Sequence, residues 1–204
     1  RALKTGLTAE RLADYFAEFC SRSYHDEKFE ITEDEFSKYF SALKEREKSN
    51  DRTTTAGDFL YDLCSNICLM YFERGRYYFT HRSFQEYFCA LYFSKQKDKN
   101  LESIGDFFEN RHSRMYGDRT FNMMYDMIPD KVEEYIFLPF LTRLYERCDN
   151  GEGYWTFLET LYPYLRYVKG ETEEYIDNDP QSYIYSFIKQ LVRYGNVDCN
   201  HFPH

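Results

Sequence analysis

One junction constrains this chain more than any other feature. At His81 an extended, aromatic stretch, Tyr77-Tyr78-Phe79-Thr80, hands over to helical sequence. Ser83 and Glu86 have the spacing of a capping box, in which each side chain bonds the other's otherwise unpaired backbone N–H; a helix is predicted from about Phe84. Beyond it Phe84, Tyr87, Phe88, Leu91 and Tyr92 recur at intervals of three and four, a stripe that calls for burial. His81 is left beside a helix N-terminus, where unpaired N–H groups and the macrodipole favour an anion such as phosphate. On spacing alone a local hydrogen bond at the turn is the simpler account of this histidine.

The elements before the junction have a recognisable order. Thr8 caps a predicted helix over about 9 to 22, with Leu12, Tyr15, Phe16, Phe19 and Cys20 on one face. Phe29-Glu30-Ile31 is a short extended piece. Thr32 to Glu35 forms a second capping box, opening a helix to about residue 47 with Phe36, Tyr39, Phe40 and Leu43 inward. After a polar loop over 45 to 54, Thr55 starts a third helix whose buried stripe is Phe59, Leu60, Leu63, Cys64 and Ile67. Cys68 to Phe72 and Arg76 to Thr80, joined at Glu73-Arg74-Gly75, read as a β-hairpin. Helix, short strand, helix, helix, hairpin is the order of a winged helix.

Phe79-Thr80-His81-Arg82-Ser83-Phe84-Gln85-Glu86-Tyr87-Phe88-Cys89-Ala90 resembles the F-x-H-x-S-F-Q-E-[YF]-x-A-A signature. That signature closes the winged-helix domain of NACHT-type signal-transducing (STAND) ATPases, the group that includes NOD-like receptors and bacterial defence ATPases. The likeness covers residues 55 to 95 well, and 8 to 110 through the order of elements. It implies that the winged helix packs on a nucleotide-binding core in the same chain and that His81, the only residue to which the role carries over, touches the β-phosphate of bound ADP. It also implies ATP or ADP with Mg in the intact parent, protein partners or a self-oligomer on activation, and a bacterial, NOD-like-receptor-like source.

The signature helix is followed by a charged link, Ser94 to Asn100, and then by all-helical sequence. Helices are predicted over about 101 to 110, 119 to 128, 130 to 148, 154 to 168 and 180 to 194. The last has Asp179 as cap, Pro180 at its first position and Gly195 as stop. Pro139 and Pro163 fall inside helical patterns and are expected to kink or interrupt them. Two apolar faces are expected to bury against neighbours: Tyr135, Leu138, Leu141, Leu144 and Tyr145, and Tyr154, Phe157, Leu158, Leu161 and Leu165. The expected fold class is mainly α: a winged helix of three helices plus a small β-hairpin (1–97), then an α-helical bundle or helical-hairpin array (98–204).

Several chemistries find no support in the residues. No Gly-x-x-x-x-Gly-Lys-[Ser/Thr] occurs and none of the nine glycines precedes a lysine, so no phosphate-cradling loop is present. His81 is thereby confined to sensing a nucleotide held by another segment, and this segment is expected to need no cofactor of its own. No Gly-x-Ser-x-Gly elbow occurs, and no catalytic residues are assigned. A winged helix is commonly a DNA reader, yet the third helix carries Asp58 and Asp62 with no Lys or Arg from Thr53 to Phe72, and the net charge is −9; no nucleic-acid partner is expected.

Cys64 and Cys68 lack a second ligand pair, and Cys199, His201 and His204 read as a tail rather than a chelating site, so no metal is assigned. The acidic run Glu171 to Asp179 reads as solvated surface. Six cysteines without a secretory leader fit reduced thiols and a cytoplasmic location. No apolar run approaches the ~20 residues of a membrane span. A chain that opens at Arg1 without an initiating methionine is expected to be a segment of something longer.

The leading expectation is a non-catalytic regulatory segment of a NACHT-type ATPase of defence or signalling, coupling the ADP-bound off state to a sensor or effector region. The alternatives are a stand-alone helical interaction module, whose 20% aromatic content suits protein contact, and a winged-helix DNA-binding protein.

Overall fold

Aromatic side chains at helical spacing make the first core. The computed structural model describes residues 2–46, 54–111, 117–149, 152–163 and 180–194. The chain divides into two compact units, Arg1–Gln96 with Asp118–Ile128, and Lys97–Gly117 with Pro129–His204. The protein is mainly α-helical with one small sheet.

In the first unit α1 spans Ala9–His25, and the Thr8 side chain accepts the Arg11 N–H. All five residues of its expected inner face are buried. A short strand, β1 (Glu30–Ile31), leads into α2 (Glu33–Arg46). The capping box at its start is formed: Thr32 N–H donates to Glu35 Oε2 at 2.9 Å and Glu35 N–H to Thr32 Oγ1 at 3.2 Å. Those bonds from Thr32, followed by Lys28, hold the Glu35 carboxyl down to about 2. Phe36, Phe40 and Leu43 are buried, whereas Tyr39 is half-buried and donates its hydroxyl to Asp26 at 2.7 Å.

Thr55 caps α3 (Ala56–Tyr61), which widens into a π-helical turn over Asp62–Asn66. Phe59, Leu60 and Leu63 are buried, but Cys64 and Ile67, expected in the same stripe, are only half-buried because the wider turn shifts their phase. β2 (Met70–Glu73) and β3 (Arg76–Phe79) pair antiparallel from Met70↔Phe79 to Glu73↔Arg76. Arg74 (φ 50°) and Gly75 (φ 80°) between them make the two-residue turn with both φ positive that matches strand twist. β1 adds to β3, Glu30 opposite Tyr78, and the sheet order is β1-β3-β2. This third strand completes the winged-helix sheet beyond the expected hairpin.

α4 (Arg82–Ser94) packs on α1 and on α6 (Thr120–Met127). Its buried line is not the expected aromatic stripe but Gln85, Glu86, Cys89 and Ala90. Small Cys89 and Ala90 are buried, as are Ala17 and Cys20 of the α1 on which α4 packs, and among the large rings Phe88 meets Phe16 at 4.8 Å between centroids. A helix covered on two sides buries its small residues centrally. Residues 118–128, expected with the second domain, pack in this unit.

The second unit contains α5 (Asp98–Glu109), α7 (Pro129–Val132), a π turn over Glu133–Phe137, α8 (Leu138–Cys148), α9 (Gly153–Leu161) and α10 (Tyr183–Tyr194). The buried line through the π turn is Val132, Ile136, Phe137 and Leu144. The wide turn changes the phase of the helix, so Leu138, Leu141 and Tyr145, expected inward, are 60%, 38% and 65% exposed. The turn ends just ahead of Pro139, whose missing donor falls where the bonding ladder has already shifted.

α9 stops at Leu161, two residues before Pro163, earlier than the pattern implied; Leu161 is buried but Tyr154 is exposed. α10 begins at Tyr183 rather than at Pro180: Ser182 Oγ accepts the Tyr185 N–H at 3.1 Å and Glu109 accepts that of Ile184 at 2.9 Å. Residues 47–53, Leu165, the acidic run Glu171–Asp179, Gly195 and the Cys199–His204 stretch lie outside the described residues.

Candidate functional site

The site is the β3–α4 junction. Thr80 closes the hairpin, its N–H donating to the Leu69 carbonyl at 2.9 Å and its hydroxyl to that of Cys68 at 2.7 Å. His81 follows in extended conformation (φ −142°, ψ 138°) and is itself the N-cap of α4. The helix therefore starts at Arg82, two residues before the expected Phe84. Ser83 does not cap it. Ser83 N–H donates to His81 Nδ1 at 3.2 Å, Ser83 Oγ lies 2.6 Å from the same nitrogen, and Phe84 N–H donates to the His81 carbonyl at 3.0 Å.

This geometry corrects one step of the sequence argument. The N–H groups of Ser83 and Phe84 are taken by His81's own ring and carbonyl, so they are not offered to an external anion. His81 is exposed, and its Nδ1 is the ring nitrogen engaged by Ser83.

The expected partner of Ser83 is also elsewhere. Glu86 is 5% exposed and faces Arg82, whose Nε lies 3.0 Å from its Oε1. Arg82 Nη2 lies 3.5 Å from Asp118 Oδ2, and the guanidinium stacks over Phe29, 4.8 Å from the ring centre. Burial first, then Asp118, push the Glu86 carboxyl above the usual carboxylate range against the opposing pull of Arg82 and the Arg119 N–H. Glu86 thus leaves the capping box because a buried carboxylate gains more from an arginine than from a second backbone donor.

Gln85 is the residue that sequence reasoning passed over. Fully buried, it donates from Nε2 to Ser23 Oγ and to the Lys28 carbonyl, both at 2.9 Å, tying the start of α4 to the end of α1 and the turn before β1. That turn carries Phe29 to the underside of Arg82. A polar residue in the second turn of an apolar helix was the only available signal.

The remaining candidates are dispersed. Cys64 is half-buried and Cys68 exposed at φ 59°. Among the described residues no group of three or more His, Cys, Asp or Glu is placed to hold a metal, and no helix is long and apolar enough to cross a membrane. On α3, Asp58 pairs with Lys4 at 2.9 Å.

Residues 125–204, from the last turn of α6 onward, match the family model of a short NACHT-associated C-terminal domain, family 14. No curated protein and no solved structure matches the chain. The matched family is an accessory region that accompanies a NACHT domain, which agrees with the signature at the β3–α4 junction upstream of the match. The match over these residues supports a C-terminal segment of a NACHT-type protein.

Proposed function

We propose that this segment couples the nucleotide state of the parent's NACHT domain to a sensor or effector region, with His81 as the contact to the β-phosphate of ADP. The observation that carries the reading is the exposure of His81 at a junction fixed on both sides by hydrogen bonds. A ring held there costs little further ordering when a phosphate arrives. A hydrogen bond from it to a phosphate stabilises the ADP-bound closed state by about 1–3 kcal/mol, enough to bias a switch.

In this reading the winged-helix unit, 1–96 with 118–128, reads the nucleotide and the helical unit, 97–117 with 129–204, passes the state on. The chemistry of ATP with Mg belongs to the NACHT domain, and signalling proceeds through protein partners or self-assembly of a cytoplasmic defence protein. In the intact protein His81→Ala is expected to raise basal signalling without stimulus; unchanged basal signalling would count against the role.

A second reading has its own observation. Leu138 and Tyr145 on α8, and Tyr154 and Trp155 on α9 at 70% and 65%, are exposed, and such surface in a helical domain suits a protein partner. An interaction module independent of nucleotide would make these residues matter and His81 not.

A further inference from the structure

We infer that Ser83 is the positioning residue of His81, fixing the ring so that the site accepts hydrogen-bond acceptors such as phosphate oxygens and not cations. The inference rests on reading His81 as the nucleotide contact. It starts from the one donor whose role is not a matter of choice. A backbone N–H only donates, so the Ser83 N–H, 3.2 Å from His81 Nδ1, meets a lone pair there. The Ser83 hydroxyl, 2.6 Å from the same nitrogen, must then donate as well.

In a neutral imidazole the single ring proton consequently sits on Nε2. Ser83 thus does for this ring what an outer hydrogen-bond partner does for a metal-binding histidine, with the opposite outcome. There the outer partner accepts a hydrogen bond and the metal receives the lone pair; here the outer partner donates and the other ring nitrogen keeps the proton. Nε2–H suits an oxygen of a nucleoside diphosphate. It has no lone pair for a divalent cation, so the Mg accompanying a nucleotide is left to other residues.

The test has two parts. Histidine-labelled 15N NMR of this chain is recorded at a pH where imidazole is neutral, with the His81 signals assigned by their loss in His81→Ala. The wild type should show a protonated Nε2 and a lone-pair Nδ1. Ser83→Thr, which keeps the hydroxyl, should preserve that pattern. Ser83→Ala, which keeps only the backbone donor, should lower the tautomer preference about fivefold. A mainly Nδ1-protonated ring in the wild type, or an unchanged preference in Ser83→Ala, would overturn the inference.

In a protein that also carries the nucleotide-binding domain, Ser83→Ala should speed ADP dissociation about fivefold and Ser83→Thr should not. Dissociation slowed or unchanged in Ser83→Ala but faster in His81→Ala would also overturn the positioning role. Dissociation unaffected by His81→Ala would instead sink the nucleotide reading, while the NMR result would still decide the tautomer.

Discussion

Asp62 holds Thr5 twice, Oδ2 accepting its N–H at 2.9 Å and its hydroxyl at 2.8 Å. Oδ1 accepts the Lys4 N–H at 2.8 Å and the Asn66 amide at 2.6 Å. The residue is fully buried at the start of the π turn, so the segment ahead of α1 is pinned to the end of α3. Burial pushes the carboxyl up, but the bonds from Thr5, Lys4 and Asn66 outweigh it and hold it below 3.8. A depressed value means the ionised form stabilises the fold, fully above the unfolded value and less as pH falls through the folded one. Asp62→Ala is expected to cost about 2–3 kcal/mol near neutrality, since it strands several donors. In urea unfolding the gap to wild type should narrow below pH 3.8; a gap independent of pH would contradict the clamp.

Arg82 is the counter-charge for two nearly buried carboxylates, whose side chains are 6% (Glu86) and 4% (Asp118) exposed. Its own side chain is 50% exposed, so the expected cost of Arg82→Ala is discounted for solvent to about 1–3 kcal/mol. The Glu86 carboxyl is raised from 4.5, so its protonated form suits the fold. Its favourable contribution is present below 4.5 and is lost as pH rises through the folded value. Thermal melts should therefore show the deficit of Arg82→Ala growing as pH rises above that point, with Glu86→Gln restoring part of it. A deficit that shrinks with rising pH would refute this assignment.

Gly105 marks a close approach in the second unit. A Cβ there would sit 2.6 Å from Ile136 Cγ2 on the π turn, which the well-packed side chain cannot easily yield. Gly105→Ala is predicted to destabilise by about 1–3 kcal/mol despite its better helix propensity. The double variant with Ile136→Ala, which removes Cγ2, should fall short of the summed losses by calorimetry. Simple additivity would place the cause elsewhere.

Local chemistry was legible in the sequence where it was also decisive. Thr8 and Thr55 cap the helices expected of them, Thr32 and Glu35 form their reciprocal box, and Arg74-Gly75 makes the hairpin turn. At Ser83 and Glu86 the same spacing misled. A histidine ring at the preceding cap position took the N–H of Ser83, and a counter-charge available only through tertiary packing, Arg82 beside Asp118, drew Glu86 away.

Phase was the second failure. A constant 3.6-residue period cannot anticipate the π turns at 62–66 and 133–137, and each moved predicted inward residues, Ile67 or Leu138, toward the surface. Gln85 and Glu86 inside α4 show the third: a helix packed between α1 and α6 buries its small and hydrogen-bonded residues and leaves Tyr87 44% exposed, although Tyr87 belongs to the aromatic stripe.

The central claim concerns one ring nitrogen and one phosphate, and the ADP dissociation rate reads it most directly. In a protein that joins this segment to its nucleotide-binding domain, release of a fluorescent ADP analogue should be about five- to a hundredfold faster in His81→Ala than in wild type. The same release rate in both would contradict the account.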